Sequence, residues 1–131
     1  MEEKDILQKI LIYLQKRYNG FNEIKNVTKQ LQDALQYDDV VTIRMLISMR
    51  QEEMDRIDRI DQEYQVVWSN LTEGQRNGLE KGEFSSFSPE NFPLLEKIKE
   101  IEQKNRNLLM NLIAQDKIVN RKLAGDKTYY S

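Results

Sequence analysis

The chemistry-bearing residues of this chain are concentrated in one run, Arg50-Gln51-Glu52-Glu53-Met54-Asp55-Arg56-Ile57-Asp58-Arg59-Ile60-Asp61. An arginine followed by regularly spaced aspartates could bind an anionic ligand, or could form the charged flank of a helix. The surrounding spacing favours a helix. Ile43, Arg50, Ile57, Tyr64 and Leu71 fall seven apart, and Leu46 with Ile47, Glu53 with Met54, Ile60 with Asp61 and Val67 with Trp68 follow each by three or four. That is an apolar stripe at helical period, spanning a helix predicted over about 39–71. Glu52 with Arg56 and Asp55 with Arg59 are four apart, a spacing that supports a wet helix face by a few tenths of a kcal/mol.

Other chemistry is restricted by composition. The 131 residues contain no histidine and no cysteine, which removes the commonest general base and metal ligand, any disulfide and any thiolate metal site. No phosphate-cradling glycine loop, nucleophile elbow or carboxylate pair of divergent setting is visible. Neither a catalytic residue, a metal site nor a cofactor is therefore expected. Twenty basic and 22 acidic residues, a net charge of -2, are mixed along the helices, so nucleic acid is not the expected partner. The longest apolar runs, such as Ile10 to Leu14, are far below the roughly 20 residues that cross a bilayer. The acidic start, Met1-Glu2-Glu3-Lys4-Asp5, does not read as a secretory signal. A cytoplasmic, non-inserting protein is the expectation.

A helix stabilised mainly by one buried face needs cover. The expected architecture is all-α, an antiparallel, coiled-coil-like bundle of three long helices in a single domain spanning residues 1–131. The first helix is predicted over about 5–36 on Ile6, Ile10, Leu14, Phe21, Ile24, Leu31 and Leu35, with Gly20 a weak point and Arg17 at a seam position, its head reaching water or a carboxylate. Tyr37-Asp38-Asp39 is a tight connection with an aspartate cap. Two helices of about 32 residues then make a rod near 50 Å long.

A long loop is expected over about 72–88. Gly74, Gly78 and Gly82 interrupt any helix there, and Phe84, Phe87 and Phe92 lap onto the bundle end or meet a partner. Ser88-Pro89-Glu90 reads as a helix start, with the serine as cap. The third helix, about 89–124, carries Leu108, Leu109, Leu112, Ile113 and Val119, a face broader than a narrow seam needs. Asn105 sits on its seam as a register-setting polar residue. Gly125 closes the helix, and residues 125–131 form a tail.

Two resemblances follow from these residues. Arg50 to Asp61 resembles the opening helix of the all-helical chorismate mutases, which implies an enzyme whose arginines and lysines converge on a dicarboxylate. The chain departs from that family at Val67 and Trp68, where a second substrate-binding arginine would stand. A wider match is with the bacterial flagellar export chaperones of the FlgN and FliT type. Thr28 to Leu35 followed by Tyr37-Asp38-Asp39, Leu46 to Asp61, and Ile98 to Ser131 with Ile101-Glu102, Asn105, Leu108-Leu109 and Gly125-Asp126-Lys127 are similar to successive segments of that family. This resemblance implies a cytoplasmic chaperone that binds the C-terminal helical segment of a hook-associated or filament-cap protein and presents it to the export gate. The client surface is then expected on Leu108, Leu109, Leu112, Ile113 and Val119, and the gate contact on Tyr129 or Tyr130. The competing interaction reading is a self-associating coiled coil that buries the third helix face against its own copy.

Overall fold

The computed structural model describes residues 1–125, and among these the regular structure is entirely helical. Three long helices dominate: α1 (Glu3–Gln36), α2 (Val40–Trp68) and α4 (Phe92–Ala124). A short helix, α3 (Glu73–Lys81), and a single 3-10 turn (Pro89–Asn91) lie between the last two. No helix among the described residues is long and apolar enough to cross a membrane.

The reversal between α1 and α2 takes three residues. Asp38 adopts φ 52°, a left-handed conformation that aspartate tolerates better than most side chains. Asp39 then caps α2. Its carboxylate accepts from Thr42 Oγ1 at 2.6 Å and from the Thr42 amide at 3.2 Å, and these two bonds hold it below the usual carboxylate range. α2 therefore runs back along α1, with Ile57 against Gly20 and Asp61 against Arg17. α4 runs in the same sense as α1: Asn91 lies beside Glu3, and Asn105 donates to the Leu14 carbonyl at 3.1 Å.

The expected loop over 72–88 is corrected. Its first half is α3, opened by a capping box in which Thr72 Oγ1 accepts from the Gln75 amide and the Gln75 side chain accepts from the Thr72 amide. Two of the three glycines expected to break a helix serve it instead. Gly82 closes α3 at φ 73°, where a Cβ would be strained. Gly78 lets the chain double back, since a Cβ there would collide with the Glu83 carbonyl oxygen. Phe87 is buried at the end of the bundle and Phe84 packs partly against it, while Phe92 stays 38% exposed. The helix start is also corrected: Ser88 gives no side-chain cap, and Pro89 opens the 3-10 turn that leads into α4 at Phe92. The Ser88 amide, the Asn91 side chain and the Gln75 side chain all donate to Glu3. One carboxylate at the start of α1 thus ties down the whole 72–91 connection.

α1 packs along its length against both α2 and α4, whereas α2 and α4 approach each other little. The core is consequently strung along α1 in three clusters. Eleven buried residues at one end include Leu7, Ile10, Leu14, Tyr64, Leu95 and Ile98. Seven at the other include Leu31, Ile43, Leu46, Val119 and Leu123. Among the described residues, Phe21, Ile24, Ile57, Leu108 and Leu112 are the buried ones in the middle, with Tyr18 and Met54 packed partly against them. At about 1.5–3 kcal/mol for each fully buried large side chain, the ends are the better-anchored parts and the middle the thinnest.

Candidate functional site: a groove between two helices

The thin middle of the core is where the surface opens. Because α2 and α4 each pack on α1 more than on one another, a groove of about 370 Å³ lies between them. Phe21, Ile24 and Thr28 of α1 form its floor, Met54, Ile57 and Asp58 of α2 one side, and Leu109, Leu112 and Ile113 of α4 the other. A second cavity, about 270 Å³, shares Phe21 and Leu109 and extends toward Arg17, Asp61, Glu102, Asn105 and Arg106. The two form one trough. From Glu102 to Asp116 along α4 it covers about 21 Å at the rise of an α-helix, close to four turns.

Polar side chains bracket the apolar middle. Toward the larger cluster, Arg17 Nε and a terminal guanidinium nitrogen donate to Asp61 at 2.8 and 2.5 Å, and the guanidinium lies 5.1 Å from the centre of the Tyr64 ring. The seam arginine has found the expected carboxylate. Burial pushes the Tyr64 phenol up, reinforced by the neighbouring Glu102 charge. Burial also raises the Glu102 carboxyl, with Arg106 and Arg17 pulling the other way. Toward the smaller cluster, Arg50 pairs with Asp116 across the trough and so links α2 to α4. Arg50 is 9% exposed. In the floor, Thr28 Oγ1 and Asn105 Oδ1 are buried without a hydrogen-bond partner among the described residues.

The leucine-rich face expected to be a binding surface is divided by the fold. Leu109 is 42% exposed and Ile113 is 50% exposed, and both border the groove. Leu112 is buried but still borders it. Leu108 belongs to the middle cluster and Val119, fully buried, to the smaller end cluster, so both side chains are part of the core. The reason is helical phase: Leu108, Leu112 and Val119 repeat toward α1, while Leu109 and Ile113 stand one step further round. Tyr129 and Tyr130 lie outside the described residues. The spacing along the sequence does not reveal the opposite side of the groove: Met54 and Asp58 belong to the stripe and charged flank of the helix expected over 39–71, and only the separation of α2 from α4 brings them to a shared space.

Among the described residues, Arg50, the residue that suggested dicarboxylate chemistry, shares its groove with Asp58 and Asp116 and with no second arginine or lysine. Arg17 and Arg106 border the adjoining cavity, Arg17 bonded to Asp61 and Arg106 beside Glu102. This stretch offers apolar contact and paired charge more than a concentrated cationic pocket. No protein family, curated protein or solved structure matches this chain.

Proposed function

We propose that this protein is a cytoplasmic export chaperone of the FlgN and FliT type, holding the C-terminal helical segment of a hook-associated or filament-cap protein for delivery to the export gate. The observation that carries the reading is the open apolar trough between α2 and α4, with Leu109 and Ile113 only half covered. The reading treats α1, α2 and α4 as an antiparallel bundle with one place unfilled, and a client helix as the element that completes it. Helix-in-groove recognition needs this arrangement: an apolar floor, two flanking helices, and room for side chains at i, i+3, i+4 and i+7 of the incoming segment. Keeping such a client helix covered would also keep it from premature assembly. The export-gate contact is assigned by the resemblance alone, to Tyr129 or Tyr130.

The test is binding of a labelled C-terminal peptide of a hook-associated or cap protein, read by fluorescence anisotropy. Leu109→Ser with Ile113→Ser should abolish binding and leave helicity by circular dichroism intact. Binding that survives this double change would place the client elsewhere. A specific observation favours a second reading, since α4 carries further exposed apolar residues away from the trough, Met110 at 69% and Ile118 at 49% exposure. They suit a second copy of the chain. Light scattering on a sizing column separates the two: a stable dimer indifferent to client peptides would sink the chaperone reading.

A further inference from the structure

We propose that the helix seated between α2 and α4 belongs to a different protein and is amphipathic with a basic flank, presenting lysine or arginine to Asp58. The inference rests on the groove reading above and adds the chemistry of the occupant. It comes from an imbalance between the two sides of the trough. On α4 the side is apolar at Leu109 and Ile113. On α2 the apolar Met54 and Ile57 are followed at once by Asp58.

The other charges bordering the trough have opposite neighbours. Asp61 holds Arg17, Asp116 holds Arg50, and Glu102 faces Arg106. Asp58 makes no hydrogen bond or ion pair among the described residues. In the open trough it is exposed and hydrated. A helix laid over Met54 and Ile57 would strip part of that hydration, because residues three and four apart share one helical surface. A carboxylate losing water at an interface is penalised unless a cation or donor replaces it. A purely apolar or acidic occupant therefore meets a penalty at Asp58 that a basic flank removes.

The probes are synthetic helical peptides of about 18 residues, five turns, sharing one leucine stripe and carrying Lys, Gln or Glu along both flanks. Dissociation constants are measured by anisotropy at low salt for the wild type and for Asp58→Lys, whose exposed position leaves the fold intact by circular dichroism. For the wild type the Lys peptide should bind about two- to fivefold more tightly than the Gln peptide, the range of an exposed ion pair. The Glu peptide should bind most weakly. Asp58→Lys should reverse the order. Equal binding of all three peptides, unchanged by the substitution, would overturn the basic-flank inference while the groove reading stood. Failure of every peptide, together with failure of the client peptide, would remove the groove reading itself. A dimer that is broken by Lys117→Glu and restored by adding Asp58→Lys would show that a second copy fills the trough, and would overturn the assignment to a foreign partner.

Discussion

At the scale of single residues, two positions on the middle and upper seam decide how α1 meets its neighbours. Gly20 is buried, and a Cβ built there would lie 2.8 Å from Ile57 Cγ1. Its value is close approach, which outweighs the roughly 1 kcal/mol that glycine costs inside a helix. Gly20→Ala should thus lower unfolding free energy by about 1 kcal/mol, overpacking exceeding the propensity gain. In an Ile57→Ala background the same methyl enters vacated space and should instead stabilise, a change of sign that urea unfolding of the four variants would register. Glu102 makes a pH argument. Burial raises its carboxyl above the ordinary 4.5, so the folded state holds the proton more tightly than the unfolded chain. The associated stability is present below the ordinary value and is lost as pH rises through the raised folded value. Glu102→Gln should flatten that part of the pH profile, and at about pH 7 the variant should be at least as stable as the wild type. A variant that is clearly less stable at neutral pH would mean that the Glu102 charge is used, through Arg106 and Arg17.

The elements differ in how far local sequence announces them. The long helices α1, α2 and α4 were legible because their apolar spacing is long enough for period to dominate, and the Asp39 cap because its chemistry is local. α3 was not, although Thr72-Glu73-Gly74-Gln75 has the Thr-x-x-Gln form of a capping box and Gly82 stands where a left-handed cap belongs. Three glycines in nine positions pointed to a loop, and it takes the left-handed cap at Gly82 and the tertiary fit of Gly78 to the Glu83 backbone to give two of them a place in the helix. The groove was half legible for a similar reason. Helical period marks which residues share a face, but Leu109 and Ile113 are separated from Leu108 and Val119 by the place α1 occupies, which no local pattern encodes. α3 should accordingly be sensitive to its ends. Thr72→Ala removes the side-chain half of the cap, at about 1 kcal/mol, and Gly82→Ala forces a Cβ into the left-handed region, at about 1–2 kcal/mol. Both should speed hydrogen exchange over residues 73–81 and tryptic cleavage at Lys81 before global stability collapses. Unchanged exchange in both would mean that Leu79 and Phe87 alone hold the segment.

For the molecule as a whole, the alternation of apolar clusters with polar layers sets which parts can move. The larger cluster is closed by α3 and the Glu3 hydrogen bonds, and the smaller by the tight turn at Tyr37 to Asp39. Between them α2 and α4 are joined across the trough by Arg50 and Asp116, a pair with unequal exposure: 11% for the arginine side chain and 37% for the aspartate. That inequality makes the two single substitutions inequivalent. Arg50→Met keeps the apolar length of the side chain and leaves Asp116 able to turn to water, so its effect on unfolding free energy should be near zero or slightly favourable. Asp116→Ala withdraws the carboxylate from a guanidinium that is mostly buried, and should cost about 1–3 kcal/mol. The consequence for the trough is separable from stability. Both substitutions remove the tie between α2 and α4, so both should raise amide exchange in α4 around residues 112–120 and speed association of the helical peptide proposed to occupy the trough, even where Arg50→Met leaves the unfolding midpoint unchanged. If Arg50→Met proved as damaging as Asp116→Ala, the pair would be holding the bundle together and not merely tying the two walls of the open trough.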